Sequence, residues 1–501
     1  MNTLKHTFIL LLAIICLTWT TPVIAQDPTP TNPIGASPTP TSSETVTPTN
    51  PVGASPQPAT GPIYIVQAGD GLSSIASRFG VTLADLIAAN NISDPNNISV
   101  GDRVIIPGLE GVTGILTTEI VGYGDTLHSI SRRNQLSEDL LRQLNHITSP
   151  AELYAGVSLV YSQKDNFTPL SKRITLAPGE TTLEAAVLAG SNTATVVALN
   201  NLQGGWAALP GDILYMNGEA PAEGGPVATG MPSAFVSVTM SPLPIKQGGT
   251  AVITVDAVDG VKLGGALVDK PLHFFPLGGG KQAALQGIHA MLEPGPYPLA
   301  LEATLPDGTK QNFEQMILIQ PGYYPDDPVL SVEPATIDPA VNDPELAQIT
   351  QLTEPDTEQK YWQGVFQNPS VFPDCFTSRY GNRRTYVGTG TEEKFFSFHS
   401  GLDFCGGAGL QITAPADGIV VFAGPLTVRG NATIIDHGWG VYSGIWHQSE
   451  IQVQVGQTVK AGDVIGLVGG TGRVTGAHMH WEVWVNGIQV DPMTWLENKY
   501  P

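Results

Sequence analysis

A spacing of 55 residues organises the first half of this 501-residue chain. Three pairs of a glycine and an acidic residue mark the period, at residues 69–70, 124–125 and 179–180. Apolar residues at helical spacing follow each pair, and each repeat then has a turn with an asparagine, at Asn90, Asn145 and Asn200. Recurrence at a fixed period is typical of tandem modules. The chain is also too long for one hydrophobic core, so we expect several domains.

The first repeat predicts a strand, two helices and a closing strand. Residues 64–66 read as the first strand, and a helix begins at Asp70 and stops at Gly80. The second helix begins at Thr82, which forms a capping-box pattern with the acidic residue three positions later. Residues 103–106 read as the closing strand. This β-α-α-β unit strongly resembles a LysM domain.

The resemblance to LysM domains implies both a partner and a binding surface. That family binds glycans containing N-acetylglucosamine in a shallow groove, formed by the loop after the first strand and the loop before the last. In the first module these loops contain Gly69, Asp70, Leu72, Asn97 and Ile98. We predict three modules, the third degenerate, over residues 63–108, 117–162 and 172–217. Linked weak sites raise avidity for a repetitive polymer, which makes peptidoglycan the expected partner.

The N-terminal segment favours export. Residues 1–25 combine Lys5, an apolar run and a small-residue site ending at Ala25, which is the pattern of a secretory signal. The run is too short for a comfortable membrane span, so we predict no transmembrane span in the mature chain, with an uncleaved anchor as the alternative. Residues 26–62 are rich in Pro, Thr and Ser and predict an extended tether. The expected location is the cell envelope, in association with the wall.

Helical periodicity disappears after the third repeat. Short apolar segments separated by turns that contain Pro and Gly predict the strands of a β-sandwich over residues 233–321. The segment EPGPYPLALEA within it resembles an immunoglobulin-like spacer domain. Residues 322–371 are rich in Pro and Asp and predict a linker with one short helix near residues 344–352.

Residue types that bind metals gather near the C terminus. His399 is followed by Asp403, and the motif AHMHWEV supplies His478 and His480. Side chains alternate along a strand, so His478, His480 and Glu482 are expected on one face. A lone His-x-His pair is more often solvated or structural, so the inference depends on the whole set. A catalytic zinc site uses three imidazole or carboxylate ligands, which His399, Asp403 and one histidine of the pair would supply.

The segment over residues 372–499 closely resembles the lysostaphin-type (LytM-like) zinc endopeptidases. Their pattern is His-x-x-x-Asp, then a single His, then His-x-His, among short strands and glycine turns. The resemblance implies one zinc ion with ligands at His399, Asp403 and His480. It also implies two catalytic histidines that do not bind the metal, His478 as the principal base and His447 as its partner.

Three further residues of this segment have separate interpretations. Ile445 stands where the family usually has a tyrosine, which puts any substrate contact made by that hydroxyl in doubt. Glu482 is interpreted either as a carboxylate that hydrogen-bonds a ligand histidine from outside or as a surface residue. His437 is expected to be structural.

Two cysteines remain once the signal is removed, Cys375 and Cys405. An even number of cysteines in an exported protein predicts a disulfide bond between them. The alternative, Cys405 as a zinc ligand, is less favoured because the family's ligand set is already complete.

The net charge of −22 argues against a nucleic acid as partner, because a surface that binds phosphates needs clustered Lys and Arg. From residue 371 onward, 11 acidic and 8 basic residues give −3, which leaves −19 on the rest of the chain. The acidic bias therefore belongs to the N-terminal modules, where it maintains solubility.

These observations predict a multidomain protein with an all-β antiparallel peptidase domain at the C terminus, preceded by βααβ LysM modules and a β-sandwich spacer. The expected function is an exported zinc metalloendopeptidase that hydrolyses peptide bonds in peptidoglycan stem peptides or cross-bridges. Two alternatives stay open, a non-catalytic LytM-like regulator of a cell-wall amidase and a wall-binding structural adaptor. Such regulators typically lose metal ligands, and none of the expected ligands is lost here.

Overall fold

The computed structural model describes residues 61–501 except for residue 110 and residues 150–151, 164–169, 177–178, 210–211 and 219–230. The predicted signal segment and the tether up to residue 60 therefore lie outside the described residues. All described residues belong to the same structural unit, Pro58–Pro501.

Each of the three repeats forms a strand, two helices and a strand. The first contains β1 (Ile63–Ile65), α1 (Leu72–Arg78), α2 (Leu83–Asn90) and β2 (Arg103–Ile105). The second contains β3 (Ile115–Ile120), α3 (Leu127–Asn134), α4 (Glu138–Asn145) and β4 (Ser158–Gln163). The third contains β5 (Arg173–Thr175), α5 (Thr182–Leu188), α6 (Thr193–Leu199) and β6 (Ile213–Tyr215). As predicted, Thr82 caps α2, and its hydroxyl accepts a hydrogen bond from the Asp85 amide at 3.0 Å.

Helix α1 starts two residues later than predicted. Its N-cap is Gly71, because the carboxylate of Asp70 is engaged in the preceding loop. That carboxylate accepts hydrogen bonds from the Tyr64 hydroxyl at 2.7 Å and from the Gln67 amide at 2.9 Å. It also forms an ion pair with Arg78 at 3.1 Å. Asp70 therefore holds the shape of the loop instead of capping the helix.

The asparagine of each repeat ties the second helix to the last strand. The side-chain amide of Asn90 donates to the carbonyl oxygens of Leu86 and Ile105, both at 2.8 Å, and its oxygen accepts from the Ile105 amide at 2.6 Å. Asn145 and Asn200 make the same three contacts in their own repeats. These bonds satisfy backbone groups at the edge of a short strand. The asparagines that mark the period are thus structural.

The first two repeats share one sheet, and residues of the second repeat pack into the core of the first, although the second also has a core of its own. Their strands are arranged in the order β2-β1-β3-β4, and β1 pairs with β3 in parallel, with Tyr64 opposite Leu116. Leu116 and Leu144 of the second repeat are buried in the same cluster as Tyr64 and Ile75 of the first. Backbone hydrogen bonds and side-chain packing therefore both connect the two modules.

Two sheets packed face to face follow the repeats. Their strands are β7 (Phe235–Ser241), β8 (Ile245–Lys246), β9 (Thr250–Ala257), β10 (Lys262–Leu267), β11 (Lys270–Pro271), β12 (Phe275–Gly278), β13 (Lys281–Gly287), β14 (Gly295–Thr304) and β15 (Lys310–Gln320). The sheet orders are β11-β10-β14-β15-β8 and β12-β13-β9-β7. Ile253 of one sheet and Leu301 of the other are buried in a common cluster, which is the core of the sandwich.

The segment after the sandwich contains β16 (Leu330–Val332), a 3₁₀ turn (Pro334–Thr336) and α7 (Pro339–Thr353). The prediction of a short helix is wrong in length, since α7 has 15 residues. Asp338 caps it by accepting a hydrogen bond from the Ala340 amide at 2.9 Å. Pro344, which the prediction placed in the first turn, lies inside the helix.

The C-terminal region is strand-rich, as predicted. Its elements are β17 (Phe376–Ser378), β18 (Arg383–Gly388), β19 (Lys394–Phe398), β20 (Leu402–Phe404), β21 (Gln411–Thr413), β22 (Gly418–Leu426), β23 (Gly430–Gly438), β24 (Val441–Gln448), β25 (Glu450–Ile451), β26 (Thr458–Val459), β27 (Val464–Leu467), β28 (Met479–Val485), β29 (Ile488–Val490) and α8 (Met493–Glu497). The main sheet runs β17-β20-β28-β24-β23-β22-β26, with β29 beside β28. Met479, Trp481 and Val483 point from β28 into the core, which leaves the alternate residues for the opposite face.

The segment between the sandwich and the C-terminal region is packed on the C-terminal region. Strand β16 pairs in parallel with β18, which extends a sheet of that region. The carboxylate of Glu345 on α7 accepts hydrogen bonds from the backbone amides of Val428 at 2.7 Å and Arg429 at 3.1 Å. This segment is therefore part of the folded C-terminal region and not a free linker.

The sandwich also packs directly on the C-terminal region. Phe275 stacks on Trp439 with ring centroids 5.0 Å apart. The Trp495 indole donates a hydrogen bond to the Thr250 hydroxyl at 3.2 Å. Buried apolar residues of both regions belong to one hydrophobic cluster, so the two regions share part of their core.

Among the described residues, no single helix is both long and apolar enough to cross a membrane. Two sharply bent helix pairs, α1 with α2 and α5 with α6, reach the required length and composition only when taken together.

Candidate metal centre

Neighbouring strands of the main sheet bring the predicted metal-binding residues together. Strands β20 and β28 pair antiparallel with Asp403 opposite His480. Strand β24, which carries His447, pairs with the other side of β28. His399 lies just before β20, and His478 lies just before β28. The register of three strands therefore assembles all five residues at one place in the sheet.

Three side-chain atoms of this set converge on one point. The Oδ1 atom of Asp403 lies 3.0 Å from Nε2 of His399 and 2.7 Å from Nδ1 of His480, and the two nitrogens are 3.1 Å apart. All three residues are buried. Ligands of one tetrahedral zinc ion, bound at about 2.0–2.2 Å, are separated by about 3.3–3.6 Å. The three residues therefore fit a single ion after a small outward adjustment.

A second group of histidines shares one of these residues. His447, His478 and His480 also have one nitrogen each within 4.8 Å of one another. This group contains no carboxylate, and His478 is only half-buried. The charge of a buried cation is compensated better by the group that includes the ionised carboxylate of Asp403. We therefore take His399, Asp403 and His480 as the candidate metal centre, bordered by the other two histidines.

Hydrogen bonds behind the two ligand histidines fix which nitrogen faces the centre. Nδ1 of His399 donates to the carbonyl oxygen of Arg379 at 2.7 Å, which leaves the lone pair of Nε2 free. Nε2 of His480 lies 3.3 Å from Oε1 of Glu482, so Nδ1 is the nitrogen that faces the centre, 2.7 Å from Oδ1 of Asp403. Such outer partners select the tautomer and orient a metal-binding imidazole.

Glu482 is buried, so its interpretation as a surface residue is wrong. Its Oε1 accepts a hydrogen bond from the Ser400 hydroxyl at 2.6 Å. Its Oε2 accepts from the Trp484 indole at 2.9 Å and from the Gln489 side chain at 3.1 Å. Three donors thus hold this carboxylate against His480.

Arg384 on β18 contacts the centre and was missed by the sequence analysis. Its Nη2 donates to Oδ2 of Asp403 at 2.9 Å, on the far side from the histidines. Its Nε donates to Asp327 at 3.2 Å, and Ser378 accepts from Nη2 at 2.9 Å. Arg384 stands in the segment SRYGNRR, and nothing in that segment indicates which of its arginines reaches Asp403.

A β-bulge directs His447 toward the centre. Trp446 and His447 together stand opposite one residue of β23, and His447 has a φ of 61°. Bulges next to active sites re-aim side chains in this way. Nδ1 of His447 donates to the carbonyl oxygen of Thr471 at 2.8 Å, so Nε2 keeps a free lone pair. Ile445, at the position of the family's tyrosine, is fully buried in the core and offers nothing to the site.

His478 lies on the accessible side of the centre. Its Nδ1 donates to the carbonyl oxygen of Gly476 at 2.9 Å, and its Nε2 lies 3.4 Å from Oδ1 of Asp403. The side chain is 20% exposed, and its ring centroid lies 5.1 Å from that of His447. Two imidazoles, each with a free Nε2 lone pair, therefore flank the three converging atoms.

The electrostatics of the centre suit a cation. Burial would raise the pKa of the Asp403 carboxyl, but the imidazoles that face it, above all His399, hold that pKa well below its usual range. Burial lowers the pKa of His399 and lowers that of His447 well below its usual range. Burial also acts to lower the pKa of His480, but hydrogen bonds to Asp403 and Glu482 raise it. An ionised carboxylate beside the neutral imidazole of His399 supplies donors of the kind that a divalent metal requires.

A cleft of about 610 Å³ contains the centre. Its walls include residues from outside the predicted peptidase domain. Asp327, Leu330 and Asn342 belong to the segment after the sandwich, and His289 belongs to the sandwich. Sequence analysis missed these residues, because lining a cleft depends on the packing of segments far apart in the chain.

The two cysteines form a disulfide, with Cα atoms 5.3 Å apart. The alternative of Cys405 as a metal ligand is therefore wrong, since its sulfur is bonded to Cys375. His437 is fully buried, with Nδ1 donating to the Asp417 carbonyl oxygen at 2.8 Å and Nε2 at 2.9 Å from the Ser443 hydroxyl. It has the structural position that the sequence predicted.

The residues predicted to bind glycan in the first LysM module differ in their burial. Gly69 and Asn97 are exposed, and Asp70 and Ile98 are partly buried. Leu72 is only 3% exposed and its side chain belongs to the core of the module, and its part in glycan binding stays a prediction. The first apolar residue of an amphipathic helix faces the core even when the preceding loop faces a ligand.

Comparison with known proteins places two kinds of domain on the chain. Residues 397–492 match Peptidase family M23, and residues 64–107 and 120–160 match the LysM domain. The DD-carboxypeptidase/endopeptidase Mpg of Neisseria meningitidis is 41% identical over 96 residues, which cover 19% of this chain and 22% of that protein. The peptidoglycan DD-endopeptidase ShyC of Vibrio cholerae is 36% identical over 118 residues, covering 24% and 26%. The chain thus spans about a quarter of the length of these relatives.

Solved structures give similarities of the same kind. A peptidase M23 from Pseudomonas aeruginosa is 30% identical and aligns with a TM-score of 0.38, covering 50% of this chain and 94% of that one. The catalytic domain of lysostaphin from Staphylococcus simulans is 34% identical and aligns with a TM-score of 0.20, covering 20% of this chain and 80% of that one.

Proposed function

We propose, on the premise that this chain carries a Peptidase family M23 domain behind two LysM domains, that it is an exported zinc metalloendopeptidase acting on peptidoglycan. Its substrates would be peptide bonds of stem peptides or cross-bridges. One observation carries the proposal, the convergence of His399 Nε2, Asp403 Oδ1 and His480 Nδ1 within 3.1 Å in a cleft. The substrate class is supported by relatives that are named peptidoglycan DD-endopeptidases.

His399, Asp403 and His480 would hold the zinc ion. A bound zinc ion supplies a Lewis acid that polarises a peptide carbonyl and activates water at neutral pH. Glu482 and Arg384 keep the ligands oriented, the first through His480 and the second through Asp403. We assign both as positioning residues, because each acts through a metal ligand to which it is hydrogen-bonded.

Proton transfer belongs to the two flanking histidines. Attack of water on an amide carbonyl needs a base, and departure of the amine needs an acid. His478 offers a free Nε2 on the accessible side of the centre, so it accepts the proton from the attacking water. His447, buried and neutral, holds the lone pair of its Nε2 toward the same space and can accept a hydrogen bond that orients the attacking water, while the proton taken up by His478 is the one passed to the departing amine.

The alternative of a non-catalytic amidase regulator is weaker. It would require the loss of a ligand or of a flanking histidine, and all five residues are present with their hydrogen-bond partners. Export and association with the wall are supported by the LysM domains and by the disulfide, because disulfides persist in oxidising compartments.

His480→Ala tests the proposed function. Purified wild type and variant are incubated with peptidoglycan sacculi, zinc content is measured, and the released muropeptides are identified by mass spectrometry. We expect the variant to lose stoichiometric zinc and at least about 10³-fold in hydrolysis, because metal-ion catalysis contributes several kcal/mol to the rate. His128→Ala is the matched control, since that imidazole is largely exposed on the second LysM module. Equal hydrolysis by wild type and His480→Ala would refute zinc catalysis.

Arg384→Met tests the assigned positioning role. Loss of an outer partner of a metal ligand typically costs about 10- to 100-fold in metal affinity or activity. We expect zinc affinity, measured by competition with a chelator, to fall by that factor, and hydrolysis to recover partly when zinc is saturating. Arg383→Met is the control, because Arg383 is the exposed neighbour on the same strand. Unchanged zinc affinity in Arg384→Met would contradict the role.

A further inference from the structure

The two matched LysM modules present their loop edges very differently. In the first module, the loop after β1 and the loop before β2 face solvent. Ala68, Gly69 and Asn97 are exposed, and Val100 is 68% exposed. These loops form the groove in which LysM domains are expected to hold glycan.

The second module has the same loops 55 residues later, but they are covered. Tyr123 corresponds to Ala68 and is 7% exposed, and Gly124 corresponds to Gly69 and is buried. Ala155 corresponds to Val100 and is fully buried. Tyr123 and Ala155 belong to the hydrophobic core of the β-sandwich and not to the core of their own module.

Backbone pairing attaches the loop before β4 to the edge of strand β15. Ala155 forms a parallel bridge with Ile317. The Ala155 amide donates to the Met316 carbonyl oxygen at 3.0 Å, and the Leu318 amide donates to the Ala155 carbonyl oxygen at 2.8 Å. Gly156 lies against the same strand, where an added Cβ would stand 3.5 Å from the Leu318 carbonyl oxygen.

Side chains attach the other loop of the second module. Gln315 on β15 accepts a hydrogen bond from the Gly124 amide at 2.6 Å and donates to the Asp125 carbonyl oxygen at 3.1 Å. The Tyr123 hydroxyl donates to the Leu299 carbonyl oxygen at 2.8 Å, and its ring packs edge-on against Phe313 at 5.4 Å. Backbone groups of both loops, which would otherwise be available to a ligand, are therefore satisfied by the sandwich.

We propose that the second LysM module is a protein-docking module whose partner is the chain's own β-sandwich, and that the first module is the one of the two that binds glycan. A glycan would have to displace two backbone hydrogen bonds, the bidentate Gln315 and a buried tyrosine to reach the second groove. LysM binding to a sugar is weak per site and offers no comparable gain. The avidity expected from equivalent sites does not arise from these two modules.

The inference rests on the proposed glycan binding, and one experiment separates the two. Hydrogen exchange is measured on the full chain with and without a pentamer of N-acetylglucosamine. We expect the pentamer to slow exchange in residues 67–72 and 97–101 and to leave residues 122–127 and 152–157 unchanged. Slowed exchange in the second pair of segments would overturn the docking role.

Matched substitutions give a second measurement. Asn97 and Glu152 are exposed and occupy corresponding positions of the two modules. We expect Asn97→Lys to weaken pentamer binding at least tenfold and Glu152→Lys to change it less than twofold, with thermal melts confirming that both variants fold. An equal effect of the two substitutions, or no effect of Asn97→Lys, would contradict the assignment to the first module.

A third outcome concerns the glycan itself. If no segment of the wild type responds to the pentamer, the proposed glycan binding fails. The docking role is then judged from exchange without ligand, where the amides of Gly124 and Leu318 must be protected. Fast exchange at both amides would overturn the docking role independently.

Discussion

The first and second LysM modules have the same internal contacts, but they differ in whether another part of the chain covers their loops. In both, an aspartate after the first strand pairs with an arginine on the first helix, at 3.1 Å for Asp70 and Arg78 and 2.9 Å for Asp125 and Arg133. In both, an asparagine ties the second helix to the last strand. Only the second module has its loops buried by another domain.

Two differences in sequence account for the contrast. Tyr123 replaces Ala68 and adds an aromatic ring that must be buried, and Ala155 replaces Val100 and allows close approach of a backbone strand. The comparison teaches that the motif of a module fixes its shape, whereas a few residues at its edge decide what the module contacts. A family match to both modules therefore does not imply the same ligand for both.

Replacement of Tyr123 should have the largest effect on the attachment of the second module to the sandwich. Tyr123→Ala removes a buried aromatic ring, a change that typically costs about 3 to 5 kcal/mol. We expect hydrogen-exchange protection of the Leu318 and Ala155 amides to fall by at least about 100-fold, because 1.36 kcal/mol corresponds to a factor of ten.

The corresponding change in the first module is the control for this prediction. Ala68→Tyr places a tyrosine on an exposed loop, where substitutions usually change stability by less than about 0.5 kcal/mol. Unchanged protection in Tyr123→Ala would break the comparison, since it would mean that the tyrosine does not hold the second module on the sandwich.

Loss of the bridging glutamine should have a smaller effect. Gln315→Ala leaves the buried Gly124 amide without an acceptor, which costs about 1 to 3 kcal/mol. We expect faster exchange at Gly124 and a modest loss at Leu318, measured as for the tyrosine. Gln282→Ala is the matched control, because that glutamine lies on β13 and its side chain has no hydrogen bond among the described residues. An effect of Gln282→Ala equal to that of Gln315→Ala would remove the special role of the bridge.

The arrangement of the metal centre was largely predictable from the sequence. His399 and Asp403, four residues apart, and the His-x-His pair have spacings that strand alternation converts directly into neighbouring side chains. The order of elements in the three repeats and the strands of the sandwich were also readable, because hydrophobic periodicity and turn residues specify them locally.

Features that depend on contacts between distant segments could not be predicted. Arg384 reaches Asp403 from β18, which belongs to a different sheet from β20, and the sequence does not indicate how the two sheets lie relative to each other. The length of α7 was underestimated, because Pro344 is tolerated inside a helix that packs on β22. Burial of the loops of the second LysM module could not be predicted either, because an apolar residue in a loop does not indicate which segment it will pack against.

The shared sheet of the first two modules has a mechanical consequence. Because β1 hydrogen-bonds to β3, the second module holds the sandwich and the sandwich packs on the peptidase region, no step of this path is a free hinge. Under the proposed function, a glycan bound to the first module would therefore lie at a fixed distance from the metal centre. Peptide bonds hydrolysed while that glycan stays bound would be separated by a spacing set by the protein and not by the wall.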